Sequence, residues 1–508
     1  MTKITIGAII VSATLLAGCT STQELSSFTN KNSPDQDNLS LTTALYNDIV
    51  ASNDVSKMKL FLTQMPKGGD VHHHYSGTIY AETYLDWVQS KDWRINSCTL
   101  RIITNNATSI AKDATQTQDG KQCQALTVEQ LLANEERYRT LLTLWSDKDY
   151  DNHYHDQPPP DSNFFSTFGY FGPVADEYSD IGVQIIKARA IAENVSYIET
   201  MYSRTGVRAR DYLSDQTRND YVAALRSTKD QNSLDILFDQ ISNDLLNQTG
   251  FSQAVTEFVD EINHVHSNID DDNFTMRYQT YAVRVQDPLQ VFTELFTGHI
   301  AATSSPLIVG VNIVAPENHH VALRDYTLHM QMYNYLKRKY PGVNRALHAG
   351  ELTLGMVRPK DLLFHIEEAR TIADAQRIGH GIDLPYESNS LALLEDLKQN
   401  AIIEINLTSN EFILGVEGNA HPYLIYDAYD VPMLISTDDS GVSRNNLTGE
   451  FVLLVSRYQP SYEKVKEYVY NSIKYSFMNK RDKDRNIQLL DIKFDEFEAK
   501  MAKLSLKM

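Results

Sequence analysis

Cysteine is nearly absent from this chain. There are three in 508 residues, none in a Cys-x-x-Cys spacing. A zinc site built on cysteine pairs is therefore not expected. Positive charge is also short: 46 Lys and Arg stand against 66 Asp and Glu, for a net charge of −20. A surface of that sign repels phosphate backbones and argues against nucleic acid as a partner; solubility is reason enough for it. No solenoid-type repeat recurs. What remains is an ordinary globular balance, 42% apolar and 22% charged. The length suits one large domain with insertions as well as two domains.

The N-terminus stands apart. Lys3 precedes a mainly apolar stretch, Ile4–Leu16. It is too short for a membrane span of about 20 residues and reads as a signal peptide. It ends in Leu16-Ala17-Gly18-Cys19, which resembles the lipobox of bacterial lipoproteins. That resemblance implies cleavage before Cys19, lipid on its thiol and an exported protein anchored on the periplasmic side. Thr20 after the cysteine points to the outer membrane by the same resemblance. An ordinary secretory signal is the alternative. Residues 19–40 are polar and read as a flexible tether. Export would put Cys98 and Cys123 in an oxidising compartment, where they either pair or remain two free thiols. A bridge would close a loop of about 25 residues, worth about 3 kcal/mol in the loop-entropy account.

Eight short apolar runs follow, each trailed by a helical pattern: Gly69–His74, Ser196–Met201, Tyr278–Val285, Leu307–Val314, Arg345–His348, Arg377–His380, Ala401–Leu407 and Pro432–Thr437. Several are almost wholly apolar or β-branched, as strands buried on both faces are. Val321–Lys339 and Pro359–Asp374 carry helical patterns. Eight strand–helix units predict an α/β fold, a (β/α)8 TIM barrel, over residues 41–508. An insertion of about residues 91–172 follows the first strand. It contains the polar Asn105–Thr117 and Pro158-Pro159-Pro160, which cannot lie inside a regular helix. It falls where a barrel keeps its active site, at the C-terminal ends of the strands. Leu41–Gln64, Ser461–Met478 and Phe494–Leu504 read as further helices covering the barrel.

Four pieces carry chemistry. In His72-His73-His74, residues two apart share a face of the strand. His72 and His74 thus project together as a metal pair, and His73 points away. His348-Ala349-Gly350-Glu351 puts a third imidazole at a strand end and a carboxylate three residues on. Arg377-Ile378-Gly379-His380-Gly381 sets a histidine between glycines, with little packing around it, as a base or an orienter of water. Ser436-Thr437-Asp438-Asp439 ends an apolar strand in two acids, which are costly there unless paired or metal-bound. Singly each has a bland reading: His380 as a core histidine, Asp439 as a helix cap. Together they sit at the ends of strands one, five, six and eight, which converge on one mouth in a barrel.

These motifs, with Met65-Pro66-Lys67-Gly68 ahead of them, resemble the adenosine and AMP deaminase superfamily. The lead-in, the insertion and Asn471-Ser472-Ile473-Lys474-Tyr475-Ser476-Phe477 are most similar to the secreted, growth-factor-related adenosine deaminases. The resemblance spans about residues 55–480. It implies one Zn2+ held by His72, His74, His348 and Asp438. It also implies that Glu351 protonates purine N1 and that His380 helps activate the attacking water and stabilises the developing oxyanion. Asp439 contacts the purine, and Asn406–Asn410 lies near the site. The implied reaction is hydrolytic deamination of adenosine or a related 6-aminopurine nucleoside, releasing ammonia, in salvage of external nucleosides.

Two positions depart from the family pattern. Where members carry an acid that holds the ribose, this chain reads Tyr75-Ser76-Gly77. Where they carry Asp-Leu-Ala-Gly, it reads Asn312-Ile313-Val314-Ala315-Pro316-Glu317, with Ala315 in place of the glycine that approaches the purine. Ser76 and Ala315 are therefore the substrate-side residues to watch. An amidohydrolase acting on a different amine or amide is the first alternative, and a non-catalytic binding protein of the same fold is the second.

Overall fold

The computed structural model describes residues 34–105, 117–118, 121–148 and 158–505. The signal stretch, Cys19, the tether up to residue 33 and residues 106–116 of the polar segment lie outside the described residues.

Eight parallel strands form the centre: β1 Gly68–His74, β2 Val195–Ser203, β3 Thr275–Val283, β4 Ile308–Val314, β5 Asn344–Ala349, β6 Arg377–His380, β7 Ile402–Ile405 and β8 Met433–Ile435. They neighbour one another in chain order. The ring closes at the mouth, where Asp438 pairs in parallel with His73. There the Asp438 N–H donates to the His72 carbonyl at 2.9 Å, and the His74 N–H to the Asp438 carbonyl at 3.2 Å. With helices around it this is a (β/α)8 barrel, and each expected strand is present within a few residues.

The helices differ more from expectation. Leu41–Gln64 is two helices, α1 Pro34–Ser52 and α2 Val55–Gln64. Asn53 takes a left-handed φ of 51°, and the Asp54 carboxylate then caps α2 by accepting from the Ser56 and Lys57 N–H groups. Residues 34–40, read as tether, are the first turns of α1. Pro359–Asp374 is a short 3-10 turn, Pro359–Leu362, and a helix, His365–Thr371. The helix read as Phe494–Leu504 begins at Lys480 and packs on α1, where the Thr42 hydroxyl donates to the Glu498 carbonyl.

The described parts of the insertion are built rather than loop-like. Strands Arg94–Asn96, Ile102–Ile103 and Ala125–Leu126 form a small antiparallel sheet, and a Cys98–Cys123 disulfide ties it. Helix α3, Pro160–Ala175, begins at the last residue of the proline run, where a missing N–H costs nothing. It reaches the barrel mouth, and its Asp161 carboxylate accepts from the Asn318 side chain at 3.0 Å.

Candidate active site

β1 delivers His72 and His74 to one side, as the two-residue period requires. His73 points the other way, its Nδ1 2.9 Å from the Thr200 hydroxyl. His348 comes from β5 and Asp438 from the turn after β8. The four offer ligand atoms that all lie within 4.8 Å of one another. His74 Nε2 is 3.1 Å from His348 Nε2 and 3.1 Å from Asp438 Oδ1, and His72 Nε2 is 3.4 Å from the same oxygen. Tetrahedral ligands at 2.0–2.2 Å from zinc stand about 3.4 Å apart. Two imidazole nitrogens and a carboxylate crowded this closely need a shared cation or protons between them. The donor set fits a metal ion, so a His3Asp metal site is present.

The charge states differ among the ligands: burial would lower His72, but Asp438 and Glu404 outweigh it and push it up to about 10, so it carries a proton that a metal would have to displace. Burial, aided by His72 and His74, pushes His348 well below the usual histidine range, so its lone pair is free. Burial alone would raise Asp438, but the hydrogen bond and charge of His72 outweigh it and hold the carboxyl well below its ordinary value.

Beneath the ligands runs a buried polar chain that crosses the barrel. Glu404 Oε2 is 2.6 Å from His72 Nδ1. Arg377 joins Glu404 and Glu199 at 2.6 and 2.7 Å. Gln279 donates to Glu199 at 2.8 Å, and Asn312 donates to Gln279 at 3.3 Å. Asn312 Oδ1 then accepts from His348 Nδ1 at 3.0 Å. Two metal ligands are thereby turned with Nε2 toward the cluster. Gly379 makes room: a Cβ there would lie 2.6 Å from His72 Cε1.

Glu351 stands beside the ligands and is 6% exposed. Burial and then the Asp438 carboxylate push it up to about 8. At neutral pH it holds a proton to give. Asp439 is raised well above its usual value by burial and by Asp438. Gly77 admits it, since a Cβ there would overlap Asp439 Oδ1.

His380 is fully buried and packed against the rings of His72 and His348, with centroids 4.9 and 5.4 Å away. That corrects the expectation of little packing around it. Its backbone is left-handed, φ 71°, as is that of Asp438 at 59°. Non-glycine residues held so are strained, and here both are mouth residues. A hydrogen-bond relay fixes its tautomer. The Tyr423 N–H donates to His421 Nδ1, so His421 carries its proton on Nε2, 3.1 Å from Asn410 Oδ1. The Asn410 amide then donates to His380 Nδ1 at 2.9 Å. Burial lowers His380 to about 3, so the ring is neutral with its proton on Nε2.

A cleft of about 360 Å³ opens over these groups. Ser76, Ala315 and Asp439 line it, as do Phe164, Phe165 and Phe168 from α3. Ala315 has φ 85°, the conformation that favours glycine. Every candidate residue within the described chain thus meets at one mouth, apart from the disulfide pair. Asn410 ends the Asn406–Asn410 motif expected near the site; Glu404, His421 and the α3 phenylalanines are additional to the expectation. Glu404 had a signal: it is a lone acid inside an apolar strand run. His421 and the phenylalanines had none.

The fold and ligand set define a metal-site (β/α)8 barrel. The adenosine deaminase family model matches residues 238–493, half of the chain, and the chain belongs to that family. An adenosine deaminase of Clostridium kluyveri is 34% identical over 149 residues, 29% of this chain and 39% of its own length. One from Enterococcus faecalis is 33% identical over 151 residues, 30% of this chain and 40% of its own length. The chain thus matches about two fifths of the length of these curated relatives. An N6-methyl-AMP deaminase from Arabidopsis superposes with a TM-score of 0.52 at 14% identity, covering 85% of this chain and 98% of its own. An amidohydrolase from Burkholderia ambifaria with bound zinc gives 0.52 at 15%, covering 88% and 94%. These two likenesses are of fold.

Proposed function

We propose that this protein is a zinc-dependent aminohydrolase that deaminates adenosine or a related 6-aminopurine nucleoside. The observation that carries this is the placement of Glu351, a buried carboxyl, and His380, whose Nδ1 accepts from Asn410, at one cleft beside a His3Asp metal site. Three imidazoles and one carboxylate suit zinc, and His72, His74, His348 and Asp438 hold it. Bound there, zinc supplies Lewis-acid chemistry that makes a water nucleophilic near neutral pH. Deamination adds the oxygen of water to purine C6 and releases the amino group as ammonia. Glu351 holds its proton at the ring nitrogen beside that carbon. His380 donates its Nε2–H toward the entering oxygen, and Asp439 binds the purine edge. The α3 phenylalanines cover the base and exclude bulk water. The test is an ultraviolet assay over a panel of aminopurine nucleosides and nucleotides, with metal analysis. Turnover with one zinc per chain is expected; a zinc-loaded protein that turns over none of them overturns the reading.

Because the relay fixes His380 as a donor, Asn410→Asp reverses the polarity of the bond to Nδ1. A fall in kcat of about 10–100-fold with unchanged zinc content is expected; the measurement is steady-state kinetics beside metal analysis.

Ser76 and Ala315 favour a second reading, a different amine on the same catalytic groups. Ala315→Gly decides how much the methyl matters. An L residue at positive φ costs roughly 1–2 kcal/mol, more than the roughly 0.5–1 kcal/mol that glycine loses in chain entropy. The variant is expected to melt no lower than the parent and to have a lower KM for adenosine. An unchanged KM removes Ala315 from substrate selection.

We further propose that the protein is exported and lipid-anchored through Cys19 on the periplasmic side of the outer membrane, in nucleoside salvage. The lipobox-like segment supports this. Cys19→Ser is expected to move the protein from the membrane fraction to the soluble one; fractionation with immunoblotting reads it.

A further inference from the structure

We propose that Glu317, held between Arg284 and His365, is a positioning residue that fixes the turn carrying both His348 and Glu351. This rests on the deaminase reading of the site. Glu317 follows Ala315 and Pro316 on the loop after β4, where the left-handed Ala315 turns the chain under the neighbouring strand end. Its carboxylate accepts the Gly350 N–H at 3.2 Å on one oxygen and the Glu351 N–H at 2.9 Å on the other. Two successive backbone donors converging on one anion form a small nest, and Gly350 permits it by taking φ 76°.

The carboxylate is itself held. His365 Nδ1 is 2.6 Å from Oε1, and Arg284 Nη1 is 3.5 Å from Oε2. Arg284 Nη1 also donates to the His348 carbonyl at 3.2 Å. The His365 ring stacks on Tyr326 with centroids 3.7 Å apart, and the Tyr326 hydroxyl donates to the His365 carbonyl at 2.7 Å. Arg284, Glu317, His365 and Tyr326 are each at most 1% exposed. Arg284 and His365 outweigh burial and hold Glu317 at about 2, so it stays an anion. One buried, charge-compensated unit thus grips the turn at His348, Gly350 and Glu351. None of its side chains lines the cleft; it acts by holding the turn, and the Glu317 charge also raises Glu351 and His380 from a distance. A metal ligand and a proton donor three residues apart must keep a fixed distance for the reaction, and misplacement by about 1 Å costs on the order of 100-fold.

The test compares Glu317→Gln and His365→Gln with the parent in zinc-loaded full-length protein. An amide at 317 offers one acceptor where two N–H groups need two, and its NH2 faces a donor. Glu317→Gln is expected to lower kcat about 10–100-fold with KM within about threefold and one zinc per chain retained. Hydrogen exchange of the peptide spanning 348–352 is expected to quicken by about tenfold or more, with other peptides unchanged. His365→Gln keeps the anion and loses one support, so a smaller change of the same kind is expected; it carries the test if Glu317→Gln does not fold. Exchange at 348–352 unchanged with kcat within about twofold overturns the proposal. So does a loss of kcat that tracks lost zinc or a general rise in exchange. Local exchange that quickens in a protein whose parent deaminates no aminopurine overturns the deaminase reading and leaves the positioning of the turn standing.

Discussion

Glu351→Gln is expected to lower kcat for deamination by about 10²–10⁴-fold, the range a positioned general acid supplies. The reason lies in where the proton resides. Glu351 is buried next to the Asp438 carboxylate, and both effects favour its neutral form, up to about 8. At pH 7 the carboxyl is an acid able to protonate a ring nitrogen. Glutamine keeps the size and an N–H but cannot release a proton. Glu351 is not among the four metal ligands, so zinc content is expected to stay at one per chain, and a competitive purine ligand is expected to bind with little change. Steady-state kinetics, metal analysis and equilibrium binding separate these outcomes. A variant retaining more than about a tenth of parent kcat would remove Glu351 from proton transfer. One that loses zinc with activity would make it a structural residue.

The barrel was legible because its strands are buried on both faces. Runs such as Leu307–Val314 and Ala401–Leu407 have no polar side to solvate and show as near-continuous apolar text. Helix ends were less legible. The break at Asn53 depends on one left-handed residue followed by a capping aspartate, which a continuous apolar period across Leu41–Gln64 hides. The insertion was illegible as structure. Its strands are two or three residues long, too short to show a period, and its sheet is tied by a disulfide between residues 25 apart in sequence.

The site divided in a similar way. The groups proposed to serve the reaction lie at strand ends in short local motifs, so the cluster of His72, His74, His348, Glu351, His380, Asp438 and Asp439 could be read from text. Groups that hold them lie one or more strands away. Asn410 and His421 set the His380 tautomer from the segment after β7, and Glu317 reaches from the β4 loop to the β5 turn. Such partners are matched by distance in space, and no spacing in the sequence encodes it. The exception is the acid inside an apolar strand. Glu199 and Glu404 each interrupt a buried run, and each meets Arg377 in the barrel interior.

That meeting sets the second large effect. Arg377 is 1% exposed and bonded to two carboxylates that are no more exposed. Its guanidinium also donates to the Val71 carbonyl at 3.1 Å and lies over the Phe477 ring at 4.0 Å. Arg377→Met preserves much of the volume and stem but takes the shared guanidinium from two buried carboxylates, leaving Glu404 only its bond to His72. Breaking a buried pair this way costs about 3–5 kcal/mol. The sign of the pH dependence follows from Glu404. In the parent, burial would raise it, but Arg377 and His72 together outweigh burial and hold it below the usual range. That contribution is present above the unfolded carboxyl value and fades as pH falls through the folded one. Without Arg377, burial is opposed by His72 alone, and the Glu404 value is expected to rise above that of the unfolded chain. The variant's penalty is then full at high pH and relieved as the carboxyl takes up a proton. The stability gap between parent and variant is therefore expected to be largest near pH 8 and to narrow toward pH 5. Denaturant titrations at both pH values measure it. Glu404 also orients His72 through Nδ1, so zinc affinity is expected to fall by about 10–100-fold in the same variant. A gap that widens on acidification would mean that Arg377 does not hold Glu404 ionised, and the buried chain from His72 to His348 would lose its anchor.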